Sequence, residues 1–271
     1  MSRVLDGQVA IVTGAGRGFG SAIARGLAAE GVKVTVTART QTQLDETADL
    51  IETAGGEALA LCGDVTDAGD VNRIVQAARD RFGPVTLLVN NAGIPDPFGP
   101  IGNLDPERWW YAQRIHILAP FLYINKVIPQ MIAAGGGRII NVSAKGGRIA
   151  APNLSAYCLG KAAQIRLTEL IAVENRGRNI FVFAIDPGFV ITSLAEDTMN
   201  SPDAQQWLPD MVKRLKARKA ADAPKADLDR CAKRCIDLAS GKHDGLSGCY
   251  MELDDDLEAM LSEATARRTE A

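Results

Sequence analysis

Seven short apolar runs recur along the chain, at Val9–Thr13, Val32–Ala38, Ala58–Cys62, Leu87–Asn90, Arg138–Val142, Ile180–Ile185 and Cys249–Leu253. They are rich in β-formers and almost free of charge, which is the pattern of strands buried on both faces. Amphipathic stretches of helical period separate them, at about Phe19–Glu30, Gln43–Thr53, Ala68–Phe82, Pro106–Ala134, Ala156–Arg176 and Ala226–Ala239. Strand–helix alternation of this kind predicts an α/β fold, a doubly wound parallel sheet of Rossmann type with about seven strands. One stretch breaks the rhythm. Residues 194–227 carry three prolines, Trp207, Met211 and the basic run Lys213–Lys219. They fall between the sixth and seventh strands, where a substrate lid or a plain surface excursion is expected. The acidic Asp254–Asp256 and a short helix at Leu257–Ala266 make a C-terminal extension, about 254–271, whose last residues are expected to fray.

Composition narrows the class. The 271 residues suit one α/β domain, here taken as 1–271, with a sizeable core. The formal net charge of -3 shows no basic surplus for nucleic acid. No uninterrupted run of about 18 apolar residues predicts a membrane span, and Met1–Val12 reads as the start of the fold, not as a signal peptide. Five scattered cysteines fit a reducing compartment, so a cytoplasmic protein without disulfides is expected. Cys231 and Cys235 share a helix face, but no second ligand pair lies near in sequence. Packing is the better account of them, and no metal is expected.

Candidate chemistry begins directly after the first strand. Thr13-Gly14-Ala15-Gly16-Arg17-Gly18-Phe19-Gly20 lies between a strand and a helix. Glycines there allow a tight turn and close approach to a pyrophosphate, and a helix N-terminus offers free N–H groups to it. Further on, Asn91-Ala92-Gly93 follows the fourth strand, Asp64-Val65 the third, and Pro187-Gly188-Phe189-Val190-Ile191-Thr192 the sixth. Tyr157 and Lys161 are four apart and so share one face of a helix.

Together these resemble the short-chain dehydrogenase/reductase family. The glycines match its TGxxxGxG fingerprint, Asn90–Gly93 its NNAG, Tyr157–Lys161 its YxxxK, and Pro187–Thr192 its PG-x-V/I-x-T. All stand in the family order, and the similarity covers roughly Gly7 to Leu253. The resemblance implies a nicotinamide cofactor contacted by Gly14, Gly16, Arg17, Gly18, Phe19, Gly20, Arg39, Asp64, Val65, Asn91, Ala92, Gly93, Tyr157, Lys161, Pro187, Gly188, Val190 and Thr192. It also implies a small-molecule carbonyl or alcohol substrate, and a homodimer or homotetramer built on the two long helices. A carboxylate at the end of the second strand would favour NAD(H). Ala38 stands there, with Arg39 after it and Arg17 in the glycine loop, so NADP(H) is expected, with guanidinium groups for a 2′-phosphate.

The resemblance assigns Tyr157 as acid/base, with Lys161 lowering its pKa and holding the ribose. It also exposes two departures. The family serine, thirteen residues before the tyrosine, is Ala144, and the family asparagine, 28 residues before that, is His116. Ser143 is one residue off, and in an extended strand it faces the other way. Three accounts remain open. Ala144 is an engineered replacement of serine; or another donor such as His116 orients the substrate; or carbonyl chemistry is lost. In the last case the chain binds cofactor with little redox activity, or works as a non-redox lyase or isomerase. His116 could equally be a packed core residue. The substrate pocket is expected to draw on Ala144, Gly146, Pro152, Asn153, Phe189 and Leu194–Trp207, and so to favour a medium-sized, mostly apolar substrate.

Overall fold

In the computed structural model, which describes residues 5–221 and 226–269, the seven apolar runs are seven strands of one parallel sheet. Residues 222–225 of the expected lid and the last two residues of the C-terminal extension lie outside the described residues, as do residues 1–4. The elements are β1 (Val9–Thr13), α1 (Gly18–Ala29), β2 (Lys33–Ala38), α2 (Gln41–Thr53), β3 (Glu57–Cys62), α3 (Ala68–Phe82) and β4 (Leu87–Asn90). There follow α4 (Pro106–Gln113), α5 (Ala119–Ala133), β5 (Gly137–Val142), α6 (Ser155–Glu174) and β6 (Ile180–Ile185). The last are α7 (Ser193–Asn200), α8 (Pro202–Trp207), α9 (Pro209–Ala220), α10 (Ala226–Ala239), β7 (Tyr250–Met251) and α11 (Leu257–Thr269). Strand order is β3-β2-β1-β4-β5-β6-β7. The chain winds outward from β1 to β3 and then returns to place β4 beside β1. This leaves a crevice beyond the carboxyl ends of β1 and β4, where open α/β sheets bind ligands.

One apolar layer covers each face of the sheet. On one side Ile23 and Leu27 of α1 and Cys231, Cys235 and Leu238 of α10 pack on the strands. On the other, Ile74 of α3, Tyr123, Val127 and Met131 of α5 and Ile171 of α6 do so. Each fully buried side chain of this size contributes roughly 1.5–3 kcal/mol. Cys231 and Cys235 lie inside this layer, fully buried.

Several element ends shift by a few residues, and two elements change more. β7 is only two residues long, because Glu252 N turns to bond Asp255 Oδ2 at 2.7 Å just after it. The helix expected over Pro106–Ala134 is interrupted at Arg114–Leu118 by a wider π-type turn, in which Ala119 N reaches Arg114 O. Pro120 has no N–H, so the regular α-helical bond to His116 O cannot form there. By length and composition Pro106–Ala133 could cross a membrane, at mean hydropathy 1.2. One face of it packs on the sheet, where Ala119, Tyr123, Val127 and Met131 are buried, while Trp110, Phe121 and Ile132 are exposed.

Candidate active site

A cavity of about 400 Å³ opens at the carboxyl edge of the sheet. Its first wall is the glycine loop. At Gly20 a Cβ would lie 2.3 Å from Gly14 O, so only glycine lets α1 begin this close to the loop. Asn91 Nδ2 donates to Thr13 O at 2.9 Å and Gly14 O at 3.2 Å, while Thr13 Oγ1 accepts from Asn91 N and Ala92 N. The ends of β1 and β4 are thereby stitched together beneath the loop. The N-terminus of α1 has no side-chain cap and no acidic residue in its first turn. Its partial positive charge therefore faces the cavity uncompensated.

Gly14, Arg17, Gly18, Phe19, Gly20, Arg39, Asp64, Val65, Asn91, Ala92 and Gly93 all line this cavity. So do Pro187, Gly188, Val190 and Thr192. Gly16 is the exception among the expected cofactor residues. It turns away against Gln43 of α2, which a Cβ would meet at 2.9 Å. Arg39 Nη1 donates to Tyr111 Oη at 3.3 Å, and Arg17 Nη2 lies 3.8 Å from Asp197 of α7. Asp64 turns its Oδ1 back onto Thr66 N and Oγ1, each at 2.8 Å.

Tyr157 and Lys161 enter from the first turns of α6, one turn apart, and both line the cavity. Lys161 Nζ lies 5.8 Å from the Tyr157 ring centroid and donates to Val142 O at 2.7 Å and Gln164 Oε1 at 3.2 Å. Burial pushes the Lys161 ammonium down to about 7, with the Asp186 charge opposing. Burial pushes the Tyr157 phenol up, and the Asp186 charge adds to that. The phenol thus keeps its proton across neutral pH.

Ala144 lines the cavity on extended backbone, with φ -171 and ψ 160. Ser143 Oγ is committed elsewhere and donates to Lys161 O at 2.8 Å. His116 lies beside Tyr157, ring edge to ring face at 5.7 Å and 89°, but its side chain is fully buried and off the cavity wall. Its Nε2 is 2.9 Å from Ile94 O. A carbonyl only accepts, so Nε2 carries the proton and Nδ1 is a lone pair, with no hydrogen-bond partner among the described residues. Burial first, then the Lys161 charge, holds the imidazole at about 3 against its bond to Ile94, so it stays neutral. In this tautomer His116 has no proton to offer in place of the missing serine. The ring fits because residue 160 is glycine: a Cβ there would stand 2.6 Å from His116 Cβ.

Of the expected substrate pocket, Ala144, Phe189, Leu194, Ala195, Asp197 and Thr198 line the cavity. Gly146 instead backs the Tyr157 ring, and Asn153 Nδ2 donates to Trp207 O at 2.9 Å, away from the wall. The stretch expected as a lid forms α7, α8 and α9, and Met211 and Leu215 of α9 close one side. Sequence reasoning missed Tyr111 and Asp186, both on the wall. Asp186 accepts from Gly188 N and Lys145 N, each at 2.8 Å, and so ties the loops after β5 and β6 together. Its place directly before Pro187-Gly188 was the available signal.

Comparison with known proteins places the chain in a family. Residues 8–203 match the family model for short chain dehydrogenases. A 3-oxoacyl-(acyl-carrier-protein) reductase of Synechocystis is 35% identical over 207 residues, covering 76% of this chain and 83% of the relative. A crystal structure of a Burkholderia xenovorans protein assigned to the short-chain dehydrogenases/reductases superposes with TM-score 0.82 at 30% identity, covering 94% of this chain and 98% of that one. A metagenomic short-chain oxidoreductase in complex with NADP superposes with TM-score 0.66 at 35% identity, covering 69% of this chain and 85% of that one.

Proposed function

The chain belongs to the short-chain dehydrogenase/reductase family, and on that premise we propose an NADP(H)-dependent oxidoreductase that interconverts a secondary alcohol and a ketone. One observation carries the reading: a single cavity joins the glycine loop, two cavity-wall arginines and the Tyr157–Lys161 pair. When bound, the nicotinamide supplies or accepts the hydride. Tyr157 moves the proton. With its phenol held neutral by burial, it is poised to donate to a carbonyl oxygen. Lys161, bonded to Val142 O and Gln164 Oε1, is placed to hold the cofactor, while burial and Asp186, not the expected lowering by Lys161, set the state of the Tyr157 phenol. The apolar wall of Ile94, Phe189, Leu194, Met211 and Leu215 suits a medium-sized apolar substrate.

The uncapped α1 N-terminus fits a pyrophosphate, and Arg17 and Arg39, with Ala38 in place of a carboxylate, fit a 2′-phosphate. The NADP-bound relative supports the same choice. Arg39→Ala is expected to weaken NADPH binding roughly 10- to 100-fold, the worth of a charge-assisted hydrogen bond, and to leave NADH within a few-fold. Calorimetric titration with both nucleotides checks this. Equal losses for the two would show that Arg39 serves the adenine and would remove the argument for NADP(H).

A second reading, a cofactor-binding protein with little redox activity or a non-redox lyase or isomerase, draws on the lack of a proton donor at Ala144 and His116. NADPH consumption with a panel of ketones separates it from the first. A homodimer or homotetramer is supported by exposed apolar side chains on the two long helical segments, Trp110 and Phe121 on one and Leu159, Leu170 and Val173 on the other. Light scattering on the eluting protein tests it, and a monomer at micromolar concentration would refute it.

A further inference from the structure

Gln164 sits in α6, three residues beyond Lys161, with 1% of its surface exposed. A buried carboxamide is costly unless both ends are satisfied. Here they are, by one member of the catalytic pair and by the backbone of His116. Gln164 Oε1 accepts from Lys161 Nζ at 3.2 Å, and Gln164 Nε2 donates to His116 O at 3.0 Å. Pro120 has removed the N–H that a regular helix would bring to that carbonyl, so the interrupted turn and Gln164 are matched parts.

The amide has one workable orientation. Turned over, it would set its NH₂ against an ammonium and its oxygen against a carbonyl. The backbone of Gln164 is held as well. Its carbonyl accepts from Thr168 Oγ1 at 2.9 Å, Thr168 Oγ1 accepts from Asn141 Nδ2 at 2.8 Å, and Asn141 Oδ1 accepts from Asn90 Nδ2 at 2.8 Å. This buried chain runs from β4 through β5 into α6 and ends on Lys161. With Val142 O and Gln164 Oε1 taking two of its three N–H groups, Lys161 has one direction left, and Lys161 lines the cavity.

We propose that Gln164 is a positioning residue of the reaction: its carboxamide fixes the Lys161 ammonium at the cavity floor by bridging it to the His116 carbonyl. The inference deepens the oxidoreductase reading and rests on it for its catalytic meaning. The titratable groups facing Lys161 are Tyr157 on its own helix, His116 on the interrupted turn and Asp186 after β6. None of them offers the ammonium the hydrogen bond that Gln164 does.

The test uses the whole 271-residue chain labelled with ¹³C at lysine Cε, the Lys161 signal being the one lost in Lys161→Met. The pH midpoint of that signal is followed in the unaltered chain, in Gln164→Met and in Gln164→Glu, beside the pH profile of kcat/KM with NADPH and a ketone. Gln164→Met removes the acceptor, so the midpoint is expected to fall by about half a unit or more, with kcat down about 10-fold. Gln164→Glu sets a carboxylate beside the ammonium, so the midpoint and the basic limb of the profile are expected to rise together. Should Gln164→Met not fold, Gln164→Glu decides alone. Midpoints unmoved in the folded variants would overturn the inference. Midpoints that move as expected in a protein with no carbonyl turnover would support the positioning of Lys161 and count against the oxidoreductase reading only.

Discussion

Ala144→Ser is expected to raise ketone turnover about 10²- to 10³-fold, with NADPH affinity within a few-fold of the original. That range is the usual worth of one preorganised donor aimed at a developing oxyanion. Residue 144 lies on extended backbone that any side chain tolerates and lines the cavity, so a serine there is expected to offer its hydroxyl to the cavity without disturbing the fold. The neighbours do not already supply the donor. Ser143 gives its proton to Lys161 O, and His116 gives its own to Ile94 O. Steady-state rates of the two forms against ketones, diketones and aromatic alcohols measure the effect. A serine form no faster than the present chain would mean that the oxyanion donor lies elsewhere, or that carbonyl reduction is not the reaction.

For Tyr157→Phe, the expected result is a loss of turnover of about 10²- to 10⁴-fold, the range for removing a general acid. The phenyl ring keeps the edge-to-face contact with His116 and the packing on Gly146, since the hydroxyl takes no part in either. Melting temperature and NADPH affinity should therefore stay close to those of the original, and the loss should appear in kcat. Single-turnover measurement at saturating NADPH separates this from a binding defect. Turnover within a few-fold of the original would rule Tyr157 out as the proton donor.

Much of this was legible in the chain because it depends on near neighbours. Buried parallel strands must read as short apolar runs, and Val9–Thr13, Leu87–Asn90 and Ile180–Ile185 stand in the structure with the ends that the pattern predicts. Turns and strand-to-helix junctions also need particular residues, so the glycine loop, Asn91–Gly93 and the four-residue spacing of Tyr157 and Lys161 all pointed to one edge of the sheet. Gly16 stands off the cavity wall, which the chain alone could not show, because a glycine in the loop does not say which way its Cα faces. Only its contact with Gln43 of α2 does.

What the tertiary structure alone decided is the state and orientation of the polar groups. A sequence names His116 without its tautomer, which follows from Ile94 O, 22 residues away, and without its room, which comes from Gly160. It names Gln164 as one polar residue on a helix. The bridge to Lys161 and His116 exists because folding brings together a carbonyl 48 positions earlier, a proline that leaves that carbonyl short of a donor, and a buried ammonium. Local propensity acts over a few residues, whereas a buried polar atom takes whichever partner the packing of distant elements brings within about 3 Å.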